Sequence, residues 1–569
     1  MTRLSSIAYV LLLISPCLYP GYFPFDVNLL LAAATSVMLA ALVLINFRHL
    51  RIPMWPLIFF SIAGTIQVYL FLSGLIPAMG GWKLQFMVYA SAMLIFFAGT
   101  TTSIISLIRW MQIYVCICLI WLFIGWLVWL GGTSGQAMEF GVFTLSMAPA
   151  IKLAGPFNQG NIFATGIGMA WLFAHWLALK NQRWYEWLAV VLLTAAMFDT
   201  LSRGGWIAFV PCLTIMIVVF RPLTKRTMVQ LFLIWCVGLL LGITAYALSQ
   251  PASLDEGFLS IAKTAANSID ARLLIWFGAI NIFIDHPLTG AGWGQFANQF
   301  WLVKPEAMTD MNNILGHVHA LPSTVLSAHN LFLQMISEGG SIILFGIIAG
   351  FGFLVSRAVT LAKRFSSRMP FTLAALGFLV QAQINVTYSA TALFLCASFF
   401  AGIGMAPWFR KTSLTFELKT GGRMALIFAV IFIAGYSINL SITWFKTGEV
   451  IEKMDVADKS SLQPLITLTD RPRVRAIPLA WLTYQIAIEG KHPSLLYWIA
   501  PMLSESALEI PFVDLYQVKF YALANTDQPK KACEIGKLIA SQKLPGEKNN
   551  AQYSKICSGQ KISSYQFGH

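Results

Sequence analysis

The chain has 569 residues, 57% of them hydrophobic and only 11% charged, with 38 Lys and Arg against 24 Asp and Glu for a formal net charge of +14. A mean hydropathy of +0.70 excludes an ordinary soluble enzyme, because one soluble core cannot hide so much apolar surface. The composition predicts a polytopic membrane protein, and basic loops beside a membrane account for the positive balance without nucleic acid.

Apolar runs long enough to cross about 30 Å of hydrocarbon recur from the N-terminus to about residue 445. About thirteen spans are predicted, at 5-22, 28-46, 54-76, 84-106, 110-131, 161-179, 184-201, 204-220, 228-248, 329-356, 371-387, 390-408 and 424-445. No small-residue cleavage site follows the first, so it reads as a retained helix rather than a signal peptide. With the N-terminus in the cytoplasm, Arg48, Arg51, Lys180, Arg183, Arg221, Lys225 and Arg226 fall on one side, as do the clusters from Arg357 to Arg368 and from Arg410 to Arg423. The opposite short loops are nearly free of Lys and Arg, as the positive-inside rule requires.

Two long connections, 132-160 and 249-328, and the tail 446-569 are then expected outside the cytoplasm. Within the second, "RLLIWFGAINIFI" (272-284) is too short to span comfortably and is expected to lie along or dip into the outer membrane face. The tail turns abruptly polar, with helical periodicity in 474-489, 494-508, 513-524 and 529-541. The expected organisation is a transmembrane domain over 1-445 and a small helical extracytoplasmic domain over 446-569. Cys17, Cys116 and Cys396 sit in predicted spans as small apolar side chains, whereas Cys533 and Cys557 stand alone in the tail and are expected to form a disulfide.

Ionisable groups near membrane depth are costly, so each is a candidate. Asp199 and Arg203 are four apart and can pair on one helix face; Arg272 can serve as an interfacial anchor; His329 and Asn330 open the tenth span, where a cap is the simplest role. Glu338 lies about 180° around a helix from His329 and is expected to bond a neighbouring helix. His286, His317 and His319 lie in the large loop, but no Cys or paired carboxylate stands at ligand spacing, so no metal site is expected. No phosphate-binding glycine loop before Lys-Ser or Lys-Thr occurs, and short cytoplasmic loops leave no room for a nucleotide-binding domain.

Five stretches, "AGPFNQGNIFATGIG" (154-168), "LSRGGW" (201-206), "DARLLIW" (270-276), "DHPLTGAGWGQF" (285-296) and "AHNLFLQMISEGG" (328-340), occur in the order seen in the O-antigen ligase and polymerase superfamily. Together with the polar tail they resemble its bacterial protein O-oligosaccharyltransferase (PglL-type) branch. "QAQINVTYSATALF" (381-394) resembles the later family segment only loosely.

The resemblance implies an all-α multi-pass enzyme of the bacterial inner membrane. It would transfer a preassembled glycan from undecaprenyl diphosphate to a Ser or Thr of a periplasmic or pilin-like protein, without cofactor, metal or nucleotide. Arg203 and Arg272 would grip the lipid diphosphate and His329 would serve the acceptor hydroxyl, or else contact phosphate with the base supplied elsewhere. Gln159, Asn161, Trp293, Gln295, Asn330 and Glu338, from the same stretches, would support them. Transfer to lipid A core, repeat-unit polymerisation and, from another class, transport of a lipid-linked glycan are the rival expectations.

Overall fold

The computed structural model describes residues 3–15, 32–41, 49–130, most of 137–219, 224–249, 254–315, 325–362, most of 366–417, scattered positions from 422 to 483, and most of 493–559. It is a helical bundle. In chain order the helices are α1 (Arg3–Ile14), α2 (Ala32–Ala41), α3 (Met54–Leu72), α4 (Met79–Thr101), α5 (Ile104–Leu130), α6 (Gly160–Asn181) and α7 (Trp184–Asp199). They continue as α8 (Arg203–Val219), α9 (Lys225–Ser249), α10 (Leu254–Asp285), α11 (Phe296–Leu315), α12 (Leu331–Ala362), α13 (Met369–Ala382) and α14 (Thr391–Phe409). Two short antiparallel ribbons accompany them, His49–Pro53 with Ser413–Glu417 and Ala137–Phe140 with Phe143–Ser146.

A helix stands at every predicted span except 424-445, which lies largely outside the described residues. Among the described residues, 6 helices are long and apolar enough to cross a membrane. Helix α6 is the axis: its apolar window is wholly buried, as expected of a helix that is hydrophobic all round. It packs on α5, α7, α8 and α13. Phe173 of α6 meets Tyr114, Phe371 and Phe400 edge-on or tilted, so one ring ties α6 to α5, α13 and α14. His175 is a satisfied core histidine, with Nδ1 2.8 Å from Trp171 O and Nε2 accepting from Trp235 Nε1 at 2.9 Å. On the periphery Leu233, Leu240, Phe345 and Ile348 are exposed, as side chains facing lipid must be.

The large loop is more helical than its apolar run indicates. The segment 272-284 forms the C-terminal part of the 32-residue α10. Helix α11 folds back on it, burying Leu274, Ile275 and Ile282 against Phe296, Phe300 and Met308. The sequence window saw a short apolar run because the first half of α10 is polar, and a helix continues through polar residues wherever its apolar face finds a partner.

Helix α12 also differs from a plain span. Gly340, at φ 67 and ψ −165, breaks it into a short segment from Leu331 and a long apolar one after the break. The break is needed because the 285–296 turn docks there. Ala291 N donates to Ser337 O at 2.9 Å, Gly292 N to Glu338 O at 3.0 Å and Ser341 N to Pro287 O at 2.9 Å. A Cβ on Gly340 would overlap Leu288 O.

In the tail, helices Pro493–Glu509, Val513–Ala524 and Pro529–Ser541 stand close to three of the predicted ones. They bury Leu503, Phe520 and Ile539 in a core that also takes Trp301 of α11. Trp301 stacks on Tyr516 at 5.0 Å between ring centroids, and Gln542 Nε2 donates to Trp301 O at 3.0 Å. Glu509 closes a second attachment, accepting from Gly80 N at 2.8 Å and Gly81 N at 3.1 Å in the first turn of α4. A carboxylate there satisfies two free N–H groups and faces the positive end of the helix dipole. A disulfide joins Cys533 to Cys557, tying Pro529–Ser541 to the last helix, Asn550–Cys557.

Two stability predictions follow from these contacts. Gly340→Ala meets both a left-handed backbone and Leu288 O, and is expected to destabilise by at least about 2 kcal/mol, read as a lower melting temperature in detergent. Removing the disulfide with Cys533→Ser, which opens a loop of 24 residues, is expected to cost the tail about 3 kcal/mol, read as protease sensitivity confined to residues beyond 493.

Candidate active site

Arg203 is the first residue of α8, and the chain reaches it from α7 through a turn whose Leu201 is left-handed at φ 48. A bulky residue at positive φ is strained, and the strain here redirects the backbone so that α8 starts at the end of the bundle where α7 stops. Buried Ser202 caps the new helix, accepting from Gly205 N at 3.2 Å. The pairing of Asp199 with Arg203 on one helix face does not arise, because the two residues belong to different helices and Asp199 accepts instead from Trp126 Nε1 at 2.8 Å. The Arg203 side chain is exposed.

Arg272 is half-buried on α10, where its Nη2 donates to Asn385 Oδ1 at 3.1 Å. Burial, and then the Arg203 cation, lower its proton affinity, so the two guanidiniums lie within electrostatic reach of each other. His329 lies within electrostatic reach of Arg272. Burial and then the Arg272 cation push its imidazole below the usual histidine range, which leaves it neutral at pH 7.

His329 is itself left-handed, at φ 52, and both its neighbours are pinned. Ala328 N donates to Gln334 Oε1 at 2.7 Å, while Asn330 accepts from Leu333 N at 2.9 Å and gives its own Nδ2 to Gln383 O at 2.9 Å. The cap of α12 is therefore Asn330, leaving His329 outside the helix with its imidazole free of a capping duty.

The bonds that hold Arg272 and the neighbours of Arg203 and His329 converge on one short stretch, the end of α13 and the residues after it, which opens the loosely resembling segment 381-394. Gln381 Nε2 reaches Asn161 O at 3.3 Å and Ser202 Oγ at 3.4 Å, joining the starts of α6 and α8. Gln383 Oε1 accepts from Phe332 N at 3.0 Å, joining the start of α12, and Asn385 holds Arg272. The signal was present: three amides at alternate positions, Gln381, Gln383 and Asn385, between apolar spans. Amides there are costly unless bonded. Gln159 is exposed at the N-cap position of α6, and its backbone carbonyl accepts from Ile162 N and Phe163 N at 3.1 and 3.0 Å, bonds that lie within the start of α6 and do not reach the amides.

Trp293, Gln295 and Glu338 do structural work one layer away. Trp293 N donates to Gln67 Oε1 at 2.9 Å; Gln295 brackets Ala78, accepting from its N at 3.0 Å and donating to its O at 2.8 Å. Glu338 Oε1 accepts from Gln334 Nε2 at 2.7 Å and from Phe296 N at 3.1 Å, which caps α11. These bonds fix the 285–296 turn to α3, α4 and α12. His286 is exposed on that turn, and His317 and His319 lie outside the described residues. Among the described residues no group of His, Cys, Asp and Glu is arranged to hold a metal ion.

Residues 188–349 match the O-antigen ligase family. The match supports membership of the O-antigen ligase superfamily. It includes Arg203, Arg272, His329 and Glu338 and stops short of Gln381 and Asn385. No curated protein matches the chain. The activity the superfamily indicates is glycosyl transfer of the O-antigen ligase or polymerase type.

The electrostatic contact between Arg272 and His329 is testable directly. Arg272→Gln removes a neighbouring cation, so the His329 imidazole is expected to gain proton affinity while burial keeps it below a solvent-exposed histidine. An NMR titration of His329 that moves down, or does not move, contradicts that contact.

Proposed function

We propose that this protein transfers a preassembled oligosaccharide en bloc from undecaprenyl diphosphate to a serine or threonine hydroxyl of a periplasmic, pilin-like protein. The observation that supports the reading most directly is the meeting, at one end of the bundle, of two guanidiniums and a neutral imidazole drawn from three distant stretches of chain. The O-antigen ligase match supports the donor class. Two adjacent cations suit a pyrophosphate, whose charge lies on non-bridging oxygens that guanidinium forks can bond in pairs.

In the reaction so read, Arg203 and Arg272 bind the diphosphate. As the bond from sugar C1 to the diphosphate oxygen breaks, its electron pair passes to that oxygen, and the guanidiniums stabilise the growing charge. The acceptor oxygen forms its bond to C1 from the opposite face, inverting the anomeric centre. The hydroxyl proton passes to His329, whose lowered proton affinity keeps a lone pair ready at neutral pH. Starts of α6, α8 and α12 gathered at this end add the positive poles of three helix dipoles. The chain sits in the inner membrane with its N-terminus cytoplasmic. Residues 446-569 form a periplasmic domain that offers the acceptor a docking surface.

Purified protein, a polyprenyl diphosphate glycan and a pilin-like acceptor, assayed in EDTA, test the reading. Glycosylated polypeptide is expected; glycan extended on the lipid carrier would instead indicate a polymerase, and modified lipid A core a ligase. His329→Ala is expected to reduce transfer by about 100-fold or more while the protein stays folded and inserted. Arg203→Lys is expected to transfer poorly because an ammonium lacks the fork, and near-normal turnover there would reject the diphosphate assignment. Because His329 acts unprotonated, the rate is expected to fall on acidification with a midpoint below about 6.5, and a midpoint above it would count against the base role.

A further inference from the structure

We propose that Gln381 and Asn385 are positioning residues that align the two guanidiniums, and that Asn385 holds Arg272 through a neutral acceptor so that its charge stays available to a diphosphate. The inference rests on the diphosphate reading above and assigns a role to residues outside the matched family segment.

Both side chains are buried, Gln381 at 0% and Asn385 at 4% exposure, and Asn385 N donates to Gln381 O at 3.0 Å, so the two stand one helical turn apart. Each touches what carries an arginine. Gln381 bonds Ser202 Oγ, the cap of the helix that Arg203 opens, and Asn385 bonds Arg272 itself. The same two amides press on the next residue of α8: a Cβ at Gly204 would lie 2.6 Å from Asn385 Nδ2 and 2.8 Å from Gln381 Oε1. Only glycine lets α8 come this close, so the two amides fix the start of α8 and the head of Arg272 against a single ridge.

The chemistry of the acceptor matters as much as its place. A carboxylate at 3.1 Å from Arg272 Nη2 would make a stronger, charge-assisted bond and would cancel the cation that an anionic ligand needs. An amide oxygen orients the guanidinium fork through its dipole and leaves the charge uncancelled. The cost is a weaker bond, made up by burial and by Gln381 holding the adjoining cap.

Asn385→Asp separates this role from simple packing, because the side chains are nearly isosteric. With the full-length protein in nanodiscs and farnesyl diphosphate as probe, wild type is expected to bind. Asn385→Asp is expected to bind at least about tenfold more weakly, with melting temperature unchanged or raised. In transfer assays its KM for the lipid donor should rise while KM for the acceptor stays put. In an Arg272→Gln background the aspartate should cause little further loss, because it acts through Arg272. Gln381→Ala should weaken the probe as well, with donor KM rising more than kcat falls. Unchanged affinity of Asn385→Asp, or an equal loss in the Arg272→Gln background, overturns the positioning role. Failure of wild type to bind the diphosphate overturns the reading of the site itself and this inference with it.

Discussion

Two guanidiniums brought together from separate stretches of chain repel each other, and holding them side by side is the constraint that organises this end of the bundle. Pairing each arginine with a carboxylate would remove the repulsion, and with it the positive field. The molecule instead anchors Arg272 to the amide of Asn385 and sends the nearest carboxylate of the α7–α8 turn, Asp199, away to Trp126. Charge that folding leaves uncancelled in a partly buried place is available to a ligand.

Local strain serves the same end. Leu201 and His329 are both left-handed, and each stands at the threshold of the helix that opens beside it. Left-handed backbone persists at such residues only when the surroundings fix both flanks. Around His329 the fixing groups are Gln334, Asn330 and Gln383; around Leu201 they are the end of α7, the Ser202 cap and Gln381. Without these left-handed turns the helices would run on, and Arg203 and His329 would point along a helix face rather than out over its end.

Much of the bundle was legible in the sequence, because membrane helices announce themselves by length and hydropathy, and the site arginines and histidine stood out as ionisable residues bordering apolar spans. What was not legible had specific physical causes. Helix α10 was read as half its length because its first half is polar, and its partner, α11, is too polar overall to stand out by hydropathy although its apolar residues recur at helical spacing. The break in α12 was hidden because "SEGG" inside an apolar run resembles a tolerated glycine pair; its meaning lies in the 285–296 turn that docks there, about fifty residues earlier in the chain. Glu338 was placed inside a span, whereas it ends the short segment before the break and caps α11. Gln381, Gln383 and Asn385 lie in the segment 381-394 that resembles the family only loosely and drew no role of their own, since neutral amides carry no charge signal and their importance comes from what three other helix starts bring to them.

Among the described residues the tail is attached to the scaffold of the site. Glu509 caps α4 two residues after Ala78, the residue that Gln295 brackets, and Gln295 belongs to the turn that locks the break in α12. Trp301, which enters the tail core, stands one turn beyond Phe296, whose N–H is held by Glu338. Both attachments thus end on the layer that holds the short segment of α12 and, at its start, the pinned backbone of His329. A tail packed this way bears on the backbone of His329 through the turn and the short segment of α12, whereas Arg272 is held from the end of α13. Gln383 of that same stretch also pins the start of α12, so the histidine and the arginines share the α13 support and the tail adds a second one on the α12 side.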